Sequence, residues 1–185
     1  MNQPQSPRAP GQQPGSAAAR AGKYLTFFLD DEEYGLEILK VQEIIGLLPI
    51  TPVPGTPRYI RGVINLRGKI VPVMDLRAKF GMPAAASSDL SSVIVVRTES
   101  LLMGLLVDRM AEVTQIHAAD IEDPPSFGED VAIDYLLGIG KAGGRVRLLL
   151  DIDHILTTQD VITIKKINYP VESNGASADR KEPQP

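Results

Sequence analysis

Several residues in this chain are of types that could do chemistry. Gly138-Ile-Gly140-Lys-Ala-Gly143 satisfies the G-x-G-x-x-G pattern that cradles a dinucleotide pyrophosphate. That chemistry needs a strand before the glycines and a helix N-terminus after them. Here an apolar strand-like run, Arg145 to Leu150, follows instead, so the glycines are read as serving a tight turn. Asp30-Asp31-Glu32-Glu33 gathers four acids but lacks the spaced oxygens and central glycine of a calcium loop, and reads as a solvated hairpin turn. His117 and His154 are far apart in sequence, and neither has a neighbour that would complete a metal pair or activate a nucleophile. Asp75 and Asp151 each follow a strand-like run and open a short helical pattern, which makes them N-caps rather than general acids. Arg67, with Glu43 as a candidate counter-charge or second contact, is the remaining possibility. A guanidinium fork on a hairpin tip suits carboxylates on another surface.

Around these residues the sequence is mostly strand-like. Tyr24 to Leu29, Val63 to Leu66, Lys69 to Met74, Ser92 to Thr98, Leu101 to Val107 and Arg145 to Leu150 are short runs rich in Val, Ile, Leu and aromatics. Short spacers at Asp31-Glu32, Arg67-Gly68, Glu99-Ser100 and Gly143-Gly144 predict tight hairpins. Asp75 to Gly81 and Asp151 to Leu156 predict short helices. Pro72 cannot donate to a ladder and predicts an edge strand or a bulge.

The chain also repeats itself. Tyr59-Ile-Arg-Gly62-Val63 falls on Tyr135-Leu-Leu-Gly138-Ile139, and the match runs on through Gly68 over Gly144 and Asp75 over Asp151, an offset of 76 residues. Upstream, Gly35 falls on Gly104 and Glu43 on Glu112 at an offset of 69. The half-repeats span about 23–83 and 90–157, joined through Ala84 to Ser88, with a longer middle loop in the second around Asp123 to Gly128. Five strands in about 60 residues make a marginal core, so two units must share an interface. The expectation is a mainly β fold, two small similar five-stranded barrels with short capping helices and a groove between them. On the repeat, Arg67 falls on Gly143, a residue at least as well suited to the turn, so the turn does not demand an arginine. Gly62 falls on Gly138 and has a structural explanation in common with it.

Composition narrows the function. A net charge of −4 in 185 residues weighs against nucleic acid as a main partner, because that affinity rests on neutralising phosphates. The absence of cysteine excludes disulfides and thiolate chemistry. No apolar run approaches the length of a membrane span and no secretory core opens the chain, so a cytoplasmic protein without direct membrane insertion is expected. Residues 1–22, rich in Pro, Gln, Gly and Ala, predict a disordered arm, and 170–185 a disordered tail, around a folded region 23–169.

The stretch Gly62-Val-Ile-Asn65-Leu66-Arg67-Gly68-Lys-Ile-Val-Pro72-Val73-Met-Asp75-Leu76-Arg77 resembles the signature of the CheW family. So do Glu33-Tyr34-Gly35-Leu36-Glu37-Ile38 through Val41-Gln42-Glu43-Ile44, and Tyr135-Leu-Leu-Gly138-Ile-Gly140. The resemblance covers Lys23 to about Leu156. It implies two SH3-like five-stranded barrels around a hydrophobic core, no catalytic site and no cofactor or metal. It further implies a stand-alone chemotaxis adaptor between the cytoplasmic tips of chemoreceptors and the regulatory domain of the histidine kinase CheA. By the same resemblance the groove would receive the receptor's helical hairpin, the barrel ends would contact the kinase, and Val41, Glu43, Gly62 and Arg67 match positions of receptor or kinase coupling. Two alternatives stand beside it: an adaptor of a chemotaxis-like pathway controlling pili, surface motility or gene expression, and a small-barrel nucleic-acid-binding protein.

Overall fold

A computed structural model describes residues 17–124 and 134–168. The expected tail, 170–185, and most of the expected arm lie outside the described residues. The arm's boundary moves, however: Ala17–Arg20 form a one-turn helix (α1), and β1 already begins at Gly22 (Gly22–Leu29).

Eleven strands form two sheets among the described residues. After β1 come β2 (Glu32–Glu37), β3 (Val41–Gly46), β4 (Ile60–Leu66) and β5 (Lys69–Asp75), then helix α2 (Leu76–Lys79). The second half supplies β6 (Ser92–Arg97), β7 (Leu102–Val107), β8 (Arg109–Ile116), β9 (Ile121–Glu122), β10 (Leu136–Ala142) and β11 (Arg145–Leu150), then helices α3 (Ile152–Ile155) and α4 (Thr158–Asn168). One sheet has the order β3-β6-β7-β5-β4 and the other β8-β1-β2-β11-β10-β9. The expected mainly β fold of two small barrels is present. Asp75 and Asp151 cap α2 and α3, accepting from Ala78 N and Asp153 N.

The repeat does not divide into barrels as its halves would suggest, because the first hairpin of each half lies in the other half's sheet. The reason is the length of the link to the third strand. Were β3 to join its own hairpin at the repeat-equivalent place, beside β1, it would run parallel to β2 and need a long crossover. The link available is Ile38–Lys40. Three residues reach about 10 Å, and returning along a six-residue strand takes about 20 Å. Between β7 and β8 there is a single residue, Asp108. Each third strand therefore continues into the opposite sheet, where β3 meets β6 and β8 meets β1.

The registers obey both offsets. Gly35 stands opposite Leu149 and Gly104 opposite Val73; Val41 stands opposite Val96 and Met110 opposite Phe27. One core lies between the sheets and includes Leu25, Leu36, Met74, Ile94, Leu105 and Leu150, closed by Ile152 and Ile155 of α3 and Ile164 of α4. A second fills the first barrel with Ile64, Val71, Val73, Val93 and Val95. Strand β6 faces both, which explains its unbroken Val-Ile-Val-Val run.

Two expectations are corrected. Pro72 lies on β5, an interior strand between β4 and β7. Its β4 partner Val63 directs both backbone groups to Thr51, so Val63 and Pro72 exchange no hydrogen bonds. The missing N–H faces β7 one residue before that ladder begins at Val73. In the acidic run, Glu33 is not solvated. It is buried, and accepts from Arg147 Nε at 2.9 Å.

Candidate partner-binding surface

Arg67 lies at the tip of the β4–β5 hairpin with φ 51, followed by Gly68 at φ 84. Two successive positive φ values form the turn that matches strand twist, and they favour Asn or Gly over arginine at the first position. The repeat-equivalent turn does use glycine twice, Gly143 at φ 60 and Gly144 at φ 73. Asn65 steadies the tip by accepting Gly68 N at 2.8 Å. Arg67 thus occupies a conformation its backbone resists, with its side chain 71% exposed. Its guanidinium donates to Glu43 Oε1. That hydrogen bond, and the charge behind it, raise the arginine further above its ordinary pKa.

Glu43 and Arg67 belong to opposite margins of the five-stranded sheet, β3 and the β4–β5 hairpin. Their ion pair spans the opening where the sheet curls round to close the first barrel. The repeat mate of Glu43, Glu112, is also paired, but with Arg147, whose side chain is buried inside the second barrel. Val71 takes the place of Arg147 in the first barrel. With no cation inside, Glu43 is left to an arginine on the outside.

Val41 and Gly62 do not join this pair. A bulge between Val41 and Glu43 turns them to opposite faces: Val41 stands against Val96 at the inter-barrel core, Glu43 against Val95 at the barrel interior. Gly62 has φ 137, and a Cβ there would lie 2.0 Å from Thr51 O. Its requirement is steric, since the Thr51 backbone pairs with β4 at that point. Of the four residues, the fold brings together Glu43 and Arg67 only.

Sequence reasoning missed an apolar feature. Ile44, Ile94, Leu105, Met74 and Ile60 stand side by side across one sheet. Their repeat mates Val113, Leu25, Leu36, Leu150 and Leu136 do so across the other. Both rows run through the inter-barrel core, and both end on an exposed aliphatic: Ile44 is 45% and Val113 54% exposed. Ile70 and Val146, again repeat mates, are also exposed. The core therefore reaches solvent as paired apolar margins. Shared exposure at repeat-related positions was the available signal, but it needs the register to be seen.

Asp75 pairs with Arg61, and His154 Nδ1 lies 2.7 Å from Asp151 Oδ2, which raises the imidazole pKa. Gly138 to Ala142 lie within β10, not ahead of a helix. Among the described residues no three His, Asp or Glu side chains converge as metal ligands, and no helix is long and apolar enough to cross a membrane.

Two SH3-like barrels joined through one core, presenting an exposed ion pair and apolar margins, define a binding module of the scaffold class. The family model for the CheW-like domain matches residues 23–160, and the chain belongs to the CheW family. A chemotaxis protein CheW from Klebsiella aerogenes is 38% identical over 145 residues, covering 78% of this chain and 87% of that protein. One from Helicobacter pylori is 36% identical over 135 residues, covering 72% and 81%. The crystal structure of the scaffolding protein TtCheW from Thermoanaerobacter tengcongensis superposes with a TM-score of 0.69 at 34% identity, covering 76% of this chain and 95% of that one.

Proposed function

We propose that this protein is a non-catalytic adaptor that couples chemoreceptor tips to the histidine kinase CheA in the cytoplasm, at receptor arrays. The observation that carries the reading is Arg67. An exposed arginine is kept in a backbone conformation that its repeat mate reaches with glycine, so the side chain is retained for what it contacts. Paired with Glu43, it offers a partner one guanidinium and one carboxylate at a barrel mouth. The apolar margins ending on Ile44 and Val113 suit the apolar stripe of a helix. Val41 acts through the core it packs against, and Gly62 through the course of Thr51 beside β4.

Signalling through such a protein is a matter of differential binding. It transmits only as much free energy as its contacts differ between receptor states, about 1–3 kcal/mol. The test is CheA autophosphorylation with receptor fragments, without the protein, with it, and with Arg67→Ala. Stimulation by the natural protein and a large loss in the variant is the expected result. No stimulation with a cognate kinase and receptor overturns the reading.

A further inference from the structure

Arg20 lies upstream of the segment that the CheW-like family model matches, in a stretch whose composition predicts a free arm. The fold treats it otherwise. It is 7% exposed, and its guanidinium reaches both β10 and the residue that follows β9. Nη1 donates to Leu137 O on β10 at 2.5 Å, and Nη2 to Asp123 Oδ1, just after β9, at 2.5 Å. Its backbone carbonyl accepts the Tyr24 hydroxyl at 2.6 Å, which ties α1 to β1.

The contact falls at the edge of the second barrel. In the first barrel the space beside Gly62 is taken by the chain itself, at Thr51 and Pro52. Beside the repeat mate Gly138, a Cβ would meet Glu122 O at 2.8 Å and Ile121 Cγ2 at 3.0 Å, both of β9, and then Arg20 Nη1 at 3.1 Å. Strand β9 is two residues long and touches β10 through Ile121 and Glu122 alone. So short an edge holds few backbone bonds, and a buried guanidinium that bonds Leu137 O on one side and the exposed Asp123 carboxylate on the other adds to what the ladder supplies.

We infer that α1 is a latch on the second barrel, in which Arg20 clamps Asp123 and Leu137 together, so that docking of α1 and the order of β9 and β10 rise and fall as one. By reciprocity, anything that draws α1 away from the barrel loosens β9 and β10 by the same factor. The latch does not depend on the adaptor reading.

Amide hydrogen exchange on the full chain tests it, comparing the natural protein with Arg20→Ala and Arg20→Lys. Charged hydrogen bonds of this kind correspond to about tenfold or more in a local opening constant. In Arg20→Ala, exchange is expected to rise by about that factor in Ala17 to Tyr24 and in the peptides of β9 and β10, while the β4–β5 peptides keep their natural rate. Arg20→Lys retains the buried cation but cannot fork, so a smaller rise in the same peptides is expected; it also stands in should the alanine variant fail to fold. Natural exchange rates in β9 and β10 of either folded variant overturn the latch. A rise of equal size in β4–β5 overturns it too, since Arg20 would then support the whole fold rather than one edge.

Discussion

Arg147 on β11 donates to Glu33 on β2 at 2.9 Å inside the second barrel, where the first barrel holds Val71 and Leu102 at the equivalent positions. Arg147 also donates to Glu112 Oε1 at 2.9 Å and to Ala142 O at 2.7 Å, so all its nitrogens are engaged. Buried ions of this kind are costly to separate but replaceable by apolar groups. Arg147→Val alone leaves buried Glu33 only the exposed Arg145 guanidinium, 3.8 Å away, and is expected to lower unfolding stability by about 3 kcal/mol. Adding Glu33→Leu, which copies the filling of the first barrel, is expected to recover most of the loss in urea titrations.

Exchanging Arg67 for glycine separates backbone strain from contact. Arg67→Gly relieves a left-handed residue and removes an exposed ion pair, two small effects of opposite sign. The urea midpoint is expected to stay within error of the natural one while stimulation of CheA falls sharply. A lowered midpoint with stimulation preserved would make Arg67 structural.

Helix α4 is fastened by Asp160, which accepts from Lys79 at 2.7 Å and from the Tyr59 hydroxyl, and caps its own helix with Thr157. Burial pushes the Asp160 carboxyl up, but the hydrogen bonds from Lys79, Tyr59 and Thr157 outweigh it and leave the pKa below the ordinary value. That stability is present above the unfolded carboxyl's pKa of 3.8 and is lost as pH falls through the lower folded value. At the other end, burial and then the bond to Asp160 push Tyr59 up to about 12, so its share is full below pH 10 and lost as pH rises from there towards 12. Asp160→Asn is expected to cost about 3 kcal/mol at neutral pH and to flatten the acid limb of the pH–stability curve.

Arg77 of α2 and its repeat mate Asp153 of α3 carry opposite charges, and each is paired with a residue of the other half of the chain. Arg77 of α2 pairs with Asp108 at 2.5 Å, and Asp108 also accepts Asp30 N. Asp153 of α3 pairs with Lys40 at 2.6 Å and accepts Glu99 N. Lys40→Asp is expected to destabilise, and the double exchange Lys40→Asp with Asp153→Lys to regain about 1 kcal/mol, measured as a double-mutant cycle.

Six of the eleven described strands, the turns at Arg67-Gly68 and Gly143-Gly144, both helix caps and the repeat were legible in the sequence, because these rest on local propensity and on a spacing that needs no partner to be read. The sequence also singled out Arg67, since the glycine at its repeat mate exposed a residue the turn did not want. Which hairpin closes which barrel was settled by tertiary contacts. Repeat mates make self-pairing and exchanged pairing locally alike, and the choice falls to links of three residues and of one, too short for a crossover. The burial of Glu33 and Arg20 lay beyond the sequence for a related reason. A charged residue reads as solvated until the fold shows the opposite charge or carbonyl, 114, 103 or 117 positions away along the chain, that receives it.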